Sequence, residues 1–231
     1  MSIPSRAIES KTLSKYGPAA LLTIHVGKEP DHQEFVAHES FLICRSEFFR
    51  RAVNGRWEEA ETRVVKLPED SSEVFARYLD CAYTNRATSE LLDRPSYDIL
   101  SWNDTRNIAH IDVHNLNRLY ILADKLQDPA TKNAAIRTLF RVFHWEHPSR
   151  RILSPSLSHI SMVYENTPEH SPLRCLFVDI TLRYPLEGLR QIMTELPREF
   201  LMDLAIMLQG IATNTADVAR QNGVEAYLER S

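Results

Sequence analysis

Leu22-Thr23-Ile24-His25-Val26 constrains this chain most, because apolar Leu22, Ile24 and Val26 alternate with polar Thr23 and His25. That period of two predicts a strand buried on one face. Phe35-Val36-Ala37-His38 reads as its hairpin partner. Ser40 then offers an N-cap oxygen to a helix carrying Phe41, Leu42 and Cys44, and residues 47–54 supply a second helix with the doublet Phe48-Phe49, closed by Asn54-Gly55. From Leu22 to Tyr83 the order is strand, strand, two short helices, strand, helix. No catalytic constellation lies within it, so its expected output is binding.

That stretch resembles the BTB domain, also called POZ. The resemblance is carried by Val36-Ala37-His38-Glu39-Ser40-Phe41-Leu42-Ile43-Cys44-Arg45-Ser46-Glu47-Phe48-Phe49, then Trp57-Glu58-Glu59-Ala60, then Val65-Lys66-Leu67-Pro68-Glu69-Asp70. It also resembles the stand-alone BTB proteins of filamentous fungi. The fold implied is α+β, a small β-sheet flanked by α-helices, with the domain closing near Trp145. Many BTB domains have Asp before the first strand and Lys after the His of the second. Here Leu21 and Glu39 stand there, so the family's charged dimer pocket is not implied and the mode of self-association stays open.

A net charge of −4 in 231 residues provides no basic field for nucleic acid, and no apolar run approaches the ~20 residues of a bilayer span. No nucleic-acid or membrane partner is expected. Residues 1–18 read as a flexible leader without the apolar segment of a signal peptide, which places the protein inside the cell, in cytoplasm or nucleus. Three scattered cysteines, Cys44, Cys81 and Cys175, form no C-x-x-C pair and are expected to be reduced. Cys44 and Cys81 fall on apolar helix faces and read as small buried hydrophobes.

Further along, Val74, Phe75, Tyr78, Leu79, Ala82 and Tyr83 mark one face of a helix over 71–83. Residues 85–112 mix Thr, Ser, Asp and Arg with Pro95 and read as a variable insertion with one short helix near Tyr97 to Trp102. Helicity resumes with Leu116, Leu119, Tyr120, Ala123 and Leu126, stops at Asp128-Pro129, and restarts with Ala135, Ile136, Leu139, Phe140 and Phe143. The expected division is therefore a BTB domain over 19–146 and an all-α extension over 147–231. In the extension, Leu173, Leu176, Phe177, Ile180 and Tyr184 form one core stripe and Phe200, Leu201, Leu204, Ala205 and Leu208 another. Two more helices are expected, over 156–165 and 215–228.

His110 and His114 lie four apart and His144 and His147 three apart, spacings that suit a metal, yet neither pair has an evident third ligand. No G-x-S-x-G, P-loop or G-x-G-x-x-G occurs. No catalytic, cofactor-binding or metal residue is assigned. The acidic run Glu58, Glu59 and Glu61 reads, on charge alone, as a solvated face.

The resemblance gives that run a role. BTB domains that recruit the cullin scaffold of a ubiquitin ligase often carry an apolar-x-Glu motif after the second short helix, where Trp57-Glu58-Glu59 stands. The implied interaction residues are Phe48, Phe49, Trp57 and Glu59, the phenylalanines supporting the helix beneath the docking pair. A protein client would be held by the tail or by residues 85–112. The function implied is a non-enzymatic protein–protein interaction module, a substrate adaptor for a cullin-based ligase. A homodimeric scaffold without cullin contact is the alternative, and a zinc-dependent enzyme is the alternative from another class.

Overall fold

The computed structural model describes residues 20–54, 58–95, 100–183, 193–212 and 223–229. The chain divides into two compact units, Met1–Glu69 and Asp70–Ser231.

The first unit holds β1 (Leu21–Val26), β2 (Gln33–His38), α1 (Glu39–Arg45), α2 (Glu47–Asn54), α3 (Glu58–Thr62) and β3 (Val64–Leu67). β1 is central, antiparallel to β2 and parallel to β3. The alternation read from the sequence is the one observed, with Leu22, Ile24 and Val26 buried. Parallel pairing of β1 with β3 requires a crossover, and α1 to α3 form it. Gly27 takes φ +99° at the end of β1, where a side chain would be strained, and its N–H donates to the Leu67 carbonyl at 3.0 Å.

Two local expectations change. Ser40 is not the cap of α1; the helix begins at Glu39 directly after β2, and the Glu39 N–H donates to the Ala20 carbonyl at 2.9 Å. A donor anchored by the neighbouring strand needs no side-chain cap. The side-chain cap belongs instead to α2, where Ser46 Oγ accepts from the Phe49 N–H at 3.2 Å. Cys44 is exposed rather than buried, because Leu42 is the residue that α1 turns inward; Cys81 is buried as expected.

The second unit is helical: α4 (Ser72–Thr84), α5 (Glu90–Asp93), α6 (Trp102–Lys125), α7 (Pro129–Phe143), α8 (Leu157–Asn166), α9 (Pro172–Leu182), α10 (Arg198–Ala212) and a 3₁₀ turn over Gly223–Tyr227. α6 packs on α4, α5, α7 and α8, and α9 packs on α7, α8 and α10. Asp128 caps α7 from the expected Asp-Pro break, accepting from the Thr131 N–H at 2.9 Å, while the Tyr78 hydroxyl donates to the same carboxylate at 3.2 Å. None of the described helices is long and apolar enough to cross a membrane.

The stretch expected to be mostly loop is more helical than its composition suggests. α6 starts at Trp102, capped by Ser101, and runs 24 residues. Its inner face carries Thr105, Asp112 and Asn117, all buried, and these polar residues interrupt the apolar period that reveals a helix in sequence. Residues 96–99, including Tyr97, lie outside the described residues. In α10 only Phe200 and Leu204 of the expected stripe are buried; Leu208 is 51% exposed. Tyr184, and most of the helix expected over 215–228, lie outside the described residues; Gly223–Tyr227 forms the 3₁₀ turn.

Residues beyond 146 share a core with those before it. Phe143 meets Phe177 edge-on at 5.9 Å, and the Tyr120 and Ser171 hydroxyls are 3.1 Å apart. The last described residues are tied down as well: Glu229 and Asn133 exchange two hydrogen bonds at 2.8 and 2.9 Å, and Lys132 pairs with Asp124 and Glu229. Burial works against the Lys132 ammonium, but the hydrogen bonds it donates to the two carboxylates outweigh that and raise its pKa. The connection around Arg150 and Arg151 is exposed. Within the helical unit, limited trypsin digestion should therefore cut first at these arginines. The fragments should co-elute on gel filtration, because α8 and α9 are held on α6 and α7; separation of the fragments would show residues 147–231 to be an independent body.

Candidate protein-interaction surface

The α2–α3 region of the first unit carries three of the four residues singled out in the sequence, Phe48, Phe49 and Glu59. In α2 a four-residue step puts Phe49 and Val53 inside, and both are buried. Phe48, one residue earlier, is half-buried and meets Phe49 edge-on at 5.3 Å. The two phenylalanines are therefore not equivalent. Phe49 is the core residue, and Phe48 lies at its margin.

At the start of α2, Glu47 accepts from Arg50 Nε at 2.6 Å and Arg51 Nε at 2.7 Å. The hydrogen bond from Arg50, and then that from Arg51, hold its carboxyl below the usual range against the opposing effect of burial. An ionised carboxylate suits the first turn of a helix.

Glu59 is half-exposed on α3. This helix is only five residues long and relies on its ends. Arg63 follows it at φ +56°, and its N–H donates to the Glu59 carbonyl at 3.0 Å, closing the last turn. The Arg63 guanidinium lies 3.2 Å from the Glu39 carboxylate and reaches the Val53 carbonyl at 3.5 Å. One arginine thus joins the start of α1, the end of α2 and the end of α3. Neither Arg63 nor this use of Glu39 was singled out by sequence reasoning, since nothing local connects them. Trp57 lies outside the described residues.

The two histidine pairs have the following neighbours among the described residues. The His110 ring lies against buried His159, centroids 4.4 Å apart. Burial, with His110 and His114 nearby, pushes the His159 pKa down to about 4. His144 stacks on Phe140 at 3.9 Å, and its Nδ1 lies 2.8 Å from that residue's carbonyl oxygen; His147 Nδ1 is instead 2.6 Å from Ser149 Oγ. Among the described residues no group of three or more His, Cys, Asp or Glu side chains is placed to hold a metal ion.

What the α2–α3 region offers is a half-exposed carboxylate on a clamped short helix. A family model for the BTB/POZ domain matches residues 21–136, from β1 into α7. No curated protein matches the chain.

Proposed function

On the premise that this chain belongs to the BTB/POZ domain family, a family of protein–protein interaction modules, we propose that it is a non-enzymatic substrate adaptor for a cullin-based ubiquitin ligase. Trp57 and Glu59 dock the cullin, and Phe48 and Phe49 support them from α2. The supporting observation is the Arg63 clamp, which fixes α3 through Glu39 and the end of α2 while leaving the Glu59 side chain half-exposed. A carboxylate held this way carries little ordering cost on binding.

Glu59→Lys is the test. It reverses the charge on a partly solvated helix position, so the fold should change by less than about 0.5 kcal/mol. Calorimetry against the N-terminal region of the host cullin should show complete loss of binding, with an unchanged melting temperature. Trp57→Ala should weaken the complex by about 2 kcal/mol or more if its ring is central to the interface. A wild-type protein that fails to bind at concentrations of tens of micromolar ends the adaptor reading.

The homodimeric scaffold is a second reading, supported by a different observation. Leu21 and Val36 lie on the outer face of the sheet, 53% and 55% exposed, and β1 register pairs Val36 with Thr23, two residues from Leu21. An apolar pair beside an edge strand invites a second copy. A sedimentation equilibrium mass of one chain rules that reading out.

A further inference from the structure

Two adjoining cavities open on the helical unit where the start of α6 meets the connection between α7 and α8. Their volumes are about 450 and 360 Å³, and Phe143 and Ile152 line both. Such volumes suit side chains or a small ligand. Their charge is one-sided. Arg106 lines the larger cavity, Arg150, Arg151 and Arg183 line the smaller, and Glu146 is the single carboxylate in the described lining of either. Among the described residues no carboxylate pairs with any of these four guanidiniums. Arg151 instead lies over the Trp102 ring at 5.6 Å. This concentration of cations stands on a chain with a net charge of −4.

We propose that this groove docks an extended acidic segment of a protein client, two or more carboxylates flanking one apolar side chain. The proposal rests on the reading of the chain as an interaction module and names where its client binds. Guanidiniums that no described carboxylate neutralises favour carboxylates, which they bind with two parallel hydrogen bonds. The apolar side chain is required by Ile152, which is 44% exposed between the two cavities. A nucleic acid fits less well. It would bring a long run of phosphates against a net-negative protein and leave Ile152 uncovered.

The test uses the full-length chain at about 150 mM salt, where distant charges are screened. The probe is a fluorescent peptide of about ten residues, rich in Asp and Glu around a single Leu, with its Asn/Gln counterpart and a single-stranded oligonucleotide of equal charge as comparisons. The acidic peptide should bind at least about ten-fold more tightly than its amide counterpart. Arg106→Gln/Arg151→Gln and Arg150→Gln/Arg183→Gln should each cost a further ten-fold or so, whereas Arg137→Gln/Arg141→Gln, also exposed but outside both cavities, should cost nothing. Bound peptide should also slow the tryptic cut at Arg150 and Arg151.

Equal binding of the amide peptide, equal loss in the Arg137/Arg141 control, tighter binding of the oligonucleotide, or no binding at all would each overturn the proposal. Glu59→Lys should leave peptide binding intact. A protein that binds cullin but not the peptide therefore retains its adaptor reading and loses this groove.

Discussion

Phe49→Ala is expected to remove about 3–5 kcal/mol of stability, the usual cost of deleting a buried aromatic. Phe49 is 0% exposed and shares the inner face of α2 with Val53. Truncation opens a cavity that a short helix, capped by Ser46 and followed by another short helix, collapses only by shifting both. Phe48→Ala should cost only about 1–2 kcal/mol, since a half-buried ring forfeits part of its transfer energy and one edge contact. The sequence alone does not rank the doublet, and both residues read as support for the docking pair. Urea titrations of the two variants decide the order, with amide exchange in β1 reporting on the first unit separately. A Phe48 variant as unstable as the Phe49 variant would contradict the burial described for α2.

Legibility followed the range of the interactions involved. β1 was readable because its inward residues are all apolar and its period is strict. The break before α7 was readable because Asp128 and Pro129 act within a single turn. The start of α1 was misplaced because its first donor is satisfied by Ala20, a residue from the other end of the hairpin. α6 was half hidden, because three inner positions are polar and their partners lie elsewhere in the chain or on no described side chain. The candidate surface shows the same division. Glu59 stands in a three-residue motif that the family resemblance picks out, whereas the Arg63 clamp and the cationic groove join residues far apart in sequence.

Asp112 is where that hidden part of α6 carries most consequence. Its carboxylate is 6% exposed and serves another helix altogether: Oδ2 accepts from the Ser89 hydroxyl at 2.6 Å and the Leu91 N–H at 2.9 Å, and Oδ1 accepts from the Glu90 N–H at 3.0 Å. These N–H groups belong to the first turn of α5, which has no partners of its own for them. Ser89 Oγ in turn accepts from the Leu92 N–H at 3.1 Å, so the first three donors of α5 depend on one carboxylate and the serine it orients. Asp112→Ala should cost about 3 kcal/mol, because each buried donor left unpaired costs roughly 1–3 kcal/mol and partial release of α5 into water recovers some of that. Asp112→Asn should cost about half as much, since its carbonyl oxygen still accepts while its amide hydrogens face donors. Exchange should accelerate first at the Glu90 and Leu91 amides, ahead of the α6–α7 core, as expected when a short element opens locally. If Asp112→Ala melts within about 0.5 kcal/mol of the wild type, the carboxylate does not hold α5 against α6.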